Sequence, residues 1–138
     1  MKLKVMLDEN AIMPTRAHSV DCGLDLYSRE RKTIWPGSAE TFDLGVHILI
    51  PHGYSGEVDP KSSLLERNLL TAGTVDPDYT GSIKVRLFNL GGSYETIEAG
   101  QKIAQLVIKR IITPDLELVT EMPETERGTG GFGSSGKF

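Results

Sequence analysis

An all-β barrel or sandwich is the fold this sequence predicts, and three observations carry that expectation. Apolar residues alternate with polar ones in short runs, turn-forming residues recur between the runs, and the 138-residue chain holds 15 Gly and 7 Pro. Alternation with a period of two sends successive side chains to opposite faces of a strand, so each such run is half-buried. Short strands repeated between turn signals close on one another as sheets rather than bundling as helices.

The elements follow in chain order. Trp35-Pro36-Gly37-Ser38 is an early turn, with Trp35 as a loop or core anchor. Val46, Ile48 and Ile50 alternate with His47 and Leu49, and Pro51-His52-Gly53 ends that run. A short helix is expected next, because Ser63-Leu64-Leu65-Glu66 matches a capping box, in which hydroxyl and carboxylate satisfy each other's exposed backbone donors. Ser62 stands just before it, and a helix N-terminus exposes N–H groups that seat phosphate. Asp76-Pro77-Asp78 is turn chemistry. Ile83, Val85 and Leu87 then alternate with Lys84 and Arg86 as a half-buried strand, and Gly91-Gly92-Ser93 turns the chain again. From Gln101 to Ile112 the pattern is more continuously apolar, through Ile103, Ala104, Leu106, Val107, Ile108, Ile111 and Ile112. Its β-branched richness favours a strand buried on both faces; periodicity alone leaves a helix open.

Composition narrows the function. The length suits a single domain. A net charge of -4 argues against the basic footprint that double-stranded nucleic acid demands. An acidic protein that binds a polyphosphate must gather its cations locally or recruit a metal. Cys22 has no cysteine partner, which fits a reducing compartment, and it is read as a small buried hydrophobe. No apolar run is long enough to span a membrane and the N-terminus lacks a signal-peptide pattern, so the expectation is a soluble, cytoplasmic protein. There is no zinc-like Cys/His cluster, and His18, His47 and His52 show no paired spacing that would give them a role.

Chemistry concentrates between Thr71 and Gly81, where two carboxylates and an aromatic ring share a tight turn. A carboxylate fixed in such a turn can orient and deprotonate a water. Taken alone these residues also suit a structural hairpin. The tail from Arg127 to Gly136 sets one Arg and one Phe among five glycines, and a disordered Gly/Ser end is its plain alternative.

Five segments in order resemble the motifs of the trimeric dUTP pyrophosphatases (dUTPases). They are Ala17-His18-Ser19-Val20-Asp21-Cys22-Gly23-Leu24-Asp25-Leu26-Tyr27, then Pro60-Lys61-Ser62-Ser63-Leu64, then the Thr71–Gly81 stretch continuing to Asn89, then Gly100-Gln101-Lys102-Ile103-Ala104-Gln105-Leu106, and finally the Gly-rich tail. The resemblance implies a distorted jelly-roll or β-barrel over residues 1–126 with one short helix, and a flexible arm, residues 127–138, closing over the active site. It implies Mg²⁺-assisted hydrolysis of dUTP to dUMP and pyrophosphate by water attack on the α-phosphorus, in a homotrimer with shared active sites. Such a reaction limits uracil in DNA and supplies dUMP for thymidylate synthesis.

The resemblance also assigns residues. Asp76 matches the general base that holds the water and contacts the sugar 3′-hydroxyl. Tyr79 matches the ring that packs on deoxyribose and leaves no room for a 2′-hydroxyl. Uracil would be read by extended backbone around Gly73. Lys61, Ser62, Ser63 and Gln105 fall among the substrate-binding positions, Gln105 near the α-phosphate, although a polar residue on a strand's outer face is its alternative. Arg127 would pair with the γ-phosphate, Phe132 would cover the uracil, and Gly133, Ser134 and Ser135 belong to the wrapping backbone. Asp25 matches an aspartate that meets Mg²⁺ through the ion's water shell.

Two departures stand out. Lys61 occupies a position where the motif usually carries Arg, which keeps the charge and loses the bidentate fork. The interval from Pro60 to Asp76 is slightly shorter than in common members. Two rival functions share the fold: a nucleotide-dependent regulatory binding protein, and a dCTP deaminase relative. The second needs an added acid/base residue, and no Glu lies between Thr71 and Tyr79.

Overall fold

A computed structural model describes all 138 residues. The chain forms β1 (Lys4–Leu7), β2 (Gly23–Tyr27), β3 (Lys32–Ile34), β4 (Ala39–Asp43), β5 (Val46–Leu49), β6 (Tyr54–Asp59), α1 (Ser62–Leu65), β7 (Leu69–Leu70), β8 (Gly73–Val75), β9 (Lys84–Asn89), β10 (Glu95–Ile97) and β11 (Lys102–Arg110). The strands build a four-stranded sheet in the order β2-β11-β6-β8, a three-stranded sheet β4-β9-β7, and the pairs β1-β5 and β3-β10. Every pairing is antiparallel. The sheets pack around one core of 18 residues and do not close into a barrel. No helix is long and apolar enough to cross a membrane.

The period-two runs behave as the alternation requires. Along β9, Val85, Leu87 and Asn89 are buried while Lys84, Arg86 and Phe88 face out. Val46, Ile48 and Ile50 are fully buried around the outward His47 and Leu49. The long run near the C-terminus is a strand, with a register shift between Lys102 and Ala104. It is buried on one face only: Ile103, Ala104 and Leu106 are in the core, Val107 and Ile108 are half-buried, and the strand ends at Arg110. Ile112 is 88% exposed.

Two local expectations are corrected and a third is narrowed. The capping box does not form: α1 starts at Ser62 with Lys61 as its N-cap, no side-chain cap bond is made, and Glu66 lies at the helix C-terminus. The register moved because Leu64 is the residue that the core takes from this turn. Cys22 is exposed, because β2 begins only at Gly23 and the alternation that puts Leu24 and Leu26 on the core side does not extend back to it. Of the two places expected for Trp35 it takes the loop rather than the core: it is exposed beyond β3 and meets Tyr94 edge-on at 5.6 Å.

Asn89 joins the layers. Its amide donates to the Ile34 and Ser93 carbonyls at 3.0 and 2.7 Å, and its side-chain oxygen accepts from the Gly91 N–H. Its backbone exchanges bonds with Ser38 and Gly37. At 1% exposure it is a buried polar residue whose needs are met, the condition under which such a group is tolerated. By contrast, residues 112–124 make no backbone–backbone hydrogen bond within the chain.

Candidate functional site

The turn after β8 is shaped by its own residues. Tyr79 N–H donates to the Asp76 carbonyl at 3.3 Å, with Pro77 second and Asp78 third at φ 64°. Proline presets the second position and a left-handed third position is that of a type II turn, where Asp is among the few non-glycine residues accepted. The turn is fastened to the core side by Asp78 N–H to the Ile50 carbonyl and by Ile83 N–H to the Val46 carbonyl. The Asp76 carboxylate is exposed and accepts no hydrogen bond from the chain, which leaves it free to hold a water.

Tyr79 folds back over Gly81. A Cβ at position 81 would fall within the Tyr79 phenol, whose hydroxyl donates to the Ser82 carbonyl at 3.1 Å. The ring therefore lies on a bare peptide with its other face open, and Tyr79 is 44% exposed. Asp76 and Tyr79 line a groove of about 280 Å³ with Gly73, Thr74, Val75, Ser82 and Lys84. The neighbouring β8 is the outermost strand of its sheet, so one of its edges offers free backbone donors and acceptors.

A second polar groove, of about 460 Å³, opens on the outer face of the four-stranded sheet. Asp25, Gln105 and Asp59 sit opposite one another on β2, β11 and β6. Strands lie about 4.8 Å apart, so the two carboxylates at the ends of that row are roughly 10 Å apart with the Gln between them. Gln105 donates to the Pro60 carbonyl at 3.3 Å. Gly23 leaves the space for it: a Cβ there would strike the Gln105 carboxamide oxygen and come within 3.0 Å of its Cβ.

Asp25 is 6% exposed and bridges two cations. Lys61 bonds one carboxylate oxygen, and Lys102 reaches the other at 2.9 Å. Burial alone pushes the Asp25 carboxyl up, and the hydrogen bonds and charges of the two lysines reverse that, holding it below the ordinary value of 3.8. The same contact raises Lys102 above its ordinary value. Lys61 thus lines the groove with Gln105, and Lys102 holds the other oxygen of Asp25.

The remaining predicted residues lie apart from these grooves. Ser62 and Ser63 are exposed at the start of α1. The arm is exposed throughout and folded on itself: Arg127 donates to the Gly130 carbonyl at 2.8 Å and to the Ser134 hydroxyl at 3.0 Å. Phe132 is fully exposed, Gly133 turns the backbone at φ 80°, and Ser135 is likewise exposed. A single chain therefore brings together Asp76 with Tyr79 and Gly73, and separately Asp25 with Lys61 and Gln105. It does not unite the two groups or cover either with the arm.

Sequence reasoning missed Lys102, Ser82, Lys84, and the contacts of His47 with Asp8 and the Thr80 carbonyl and of His52 with Asp78. Lys102 lies inside a quoted motif, and nothing local marks it as the second partner of a carboxylate 77 residues away. No three His, Cys, Asp or Glu side chains converge as a metal cage. With each Asp25 oxygen already taking a lysine, the oxygen-only donor set suits a hydrated hard cation carried by a polyphosphate rather than direct ligation.

An open β fold that presents a free carboxylate and a tyrosine in one turn, beside a face with fixed lysines and a glutamine, is an arrangement that suits a nucleoside polyphosphate hydrolase. The dUTPase family model matches residues 9–136. The chain belongs to the dUTPase family and is an enzyme. Deoxyuridine 5'-triphosphate nucleotidohydrolase of Yarrowia lipolytica is 42% identical over 99% of this chain and 90% of its own length. That of Clostridium tetani is 41% identical, covering 99% and 97%. Among solved structures, a point mutant of the Staphylococcus bacteriophage 80alpha dUTPase with dUpNHpp superposes with TM-score 0.92 at 30% identity, covering 99% of both chains. A point mutant of the dUTPase from phage phi11 of S. aureus, described with a structural Mg(II) ion, gives 0.84 at 28% identity, covering 90% and 100%.

Proposed function

We propose that this chain hydrolyses dUTP to dUMP and pyrophosphate, with Asp76 as the base that orients and deprotonates the attacking water. One observation carries the reading: a free carboxylate and a ring laid open over Gly81 lie in the same turn, three residues apart. Tyr79 packs against the deoxyribose, and the close ring leaves no room for a 2′-hydroxyl. Uracil is read by the open edge of β8 at Gly73, whose N–H and C=O groups complement O4 and N3–H. Lys61, Lys102 and Gln105 line the path of the phosphates, and the exposed N–H groups at Ser62 and Ser63 add donors there.

Mg²⁺ carried on the triphosphate would meet Asp25 only through water, and when bound it supplies charge neutralisation at the phosphates. The acceleration assigned to the protein's own residues is positioning and charge placement. Within one chain Asp76 is exposed, so the burial that strengthens it as a base comes from nucleotide and arm. Arg127 pairs with the γ-phosphate and Phe132 covers the base, while Gly133, Ser134 and Ser135 wrap the phosphates. The arm's own loose turn costs little to open, and a charged, stackable ligand offsets the ordering of about 1–2 kcal/mol per residue.

The site is shared in a homotrimer. Supporting this, the two half-sites of one chain stand apart, and residues 112–124 have no backbone partner of their own. The test is pyrophosphate release from dUTP, dCTP, dTTP and UTP in parallel. Turnover of dUTP alone is expected, and Asp76→Asn is expected to bind dUTP and lose at least ~10² in kcat. Comparable hydrolysis of all four nucleotides would overturn the base and sugar assignments.

A further inference from the structure

The turn that carries Asp76 and Tyr79 is tied to the rest of the fold by a histidine. His47 leaves β5 on the side opposite the buried Val46 and Ile48. Its Nδ1 lies 2.8 Å from the Thr80 carbonyl oxygen and its Nε2 lies 3.0 Å from a carboxylate oxygen of Asp8, just past β1. Both partners only accept hydrogen bonds, and a neutral imidazole has a single N–H. Both contacts hold together only when the ring is an imidazolium. With its side chain 18% exposed, His47 is better sheltered than the nearby His52–Asp78 pair, whose side chains are 81% and 66% exposed and which water and salt weaken.

The Thr80 carbonyl belongs to the peptide that leads into Gly81, and Gly81 is the surface on which the Tyr79 ring rests. Fixing that peptide fixes the height of the ring over the groove. We propose that His47 is a positioning and specificity-determining residue: by clamping the Thr80–Gly81 peptide to Asp8 it sets the place of Tyr79, and with it the discrimination between deoxyribose and ribose. This rests on the reading of Tyr79 as the sugar-packing ring.

The surroundings keep the clamp charged at neutral pH. The hydrogen bond to Asp8 first, then that to the Thr80 carbonyl, raise His47 above its ordinary 6.5. Asp43 at the end of β4 adds attraction, and Lys4 across the groove from β1 is the one like charge on that lining. Because the value is raised, the clamp is complete below the ordinary histidine range and is lost as pH rises through the raised value.

The test is the ratio of kcat/KM for dUTP over UTP between pH 6 and pH 9, with the His47 ring titration followed by NMR. Wild type should discriminate strongly at low pH and lose discrimination along the His47 titration curve. His47→Gln should lower the ratio by about 10-fold or more at pH 6, as expected for a sub-ångström to ångström displacement, and make it flat with pH. Asp8→Asn should keep the transition and move it to lower pH, a readout that survives should His47→Gln fail to fold. A His47→Gln ratio with the wild-type value and pH profile overturns the proposal. So does a wild-type ratio that stays constant while the His47 ring titrates. An Asp76→Asn variant with full activity moves the base elsewhere, yet leaves this ratio as an independent measure of the clamp.

Discussion

Asp25→Asn isolates the charge at the centre of the lysine pair. The carboxylate is 8% exposed and takes Lys61 on one oxygen and Lys102 on the other. The amide keeps the shape, loses the charge and leaves two ammonium groups facing each other. Breaking a buried ion pair from one side costs roughly 3–5 kcal/mol. Here the lysines are 23% and 42% exposed and can turn toward water, which brings the expected loss to about 2 kcal/mol. The pH dependence has a definite sign. Asp25 is held below 3.8, so its contribution is complete above that value and disappears as pH falls through the lowered one. Urea denaturation of wild type and variant, at one protein concentration from pH 7 to pH 3, reads the difference directly. The gap should be about 2 kcal/mol at pH 7, constant down to pH 5, and closing below pH 4. Equal stabilities at pH 7, or a gap unchanged at pH 3, would refute the bridging role.

Other outcomes follow from specific contacts. Gly81→Ala should displace the Tyr79 ring and lower dUTP-over-UTP selectivity at least ~10-fold while changing the melting temperature little. Gly23→Ala should push the Gln105 amide aside, lowering kcat/KM by ~10-fold or more at a stability cost of about 1–2 kcal/mol, read by kinetics and calorimetry on one sample. Asn89→Ala takes the side-chain partner from the buried Ile34 carbonyl and from the less buried Ser93 carbonyl and Gly91 N–H, and should destabilise the core by about 1–3 kcal/mol in thermal melts. Removing residues 127–138 should lower kcat/KM by ~10² or more with an unchanged circular dichroism spectrum.

What the sequence revealed was what neighbours along the chain can express. The alternation at Val46–Ile50 and Ile83–Leu87 is a local pattern, and both runs are strands with the expected faces inward. The Asp-Pro-Asp turn is likewise local, with Asp78 in the left-handed position that its side chain tolerates. The capping box failed because a four-residue helix is placed by what it buries, here Leu64, rather than by its caps. The Asp25–Lys61–Lys102 bridge joins residues separated by 36 and 77 positions, and only the order β2-β11-β6 makes them adjacent. His47 looked like the outward residue of an alternating strand, which it is. Its partners at Asp8 and Thr80 come from two other elements, and no spacing within the chain announces them.

The segment from residue 112 to residue 124 has a consequence for anyone handling the protein. Ile112, Leu116, Leu118 and Met122 are 84–99% exposed, on backbone that bonds to nothing in its own chain. In the shared assembly proposed above such a stretch is covered by other copies of the chain, which makes concentration an unlabelled reagent in every measurement. Melting temperature should climb with protein concentration, and activity per chain should sag on dilution. Two laboratories working a thousandfold apart would then report different enzymes from the same tube.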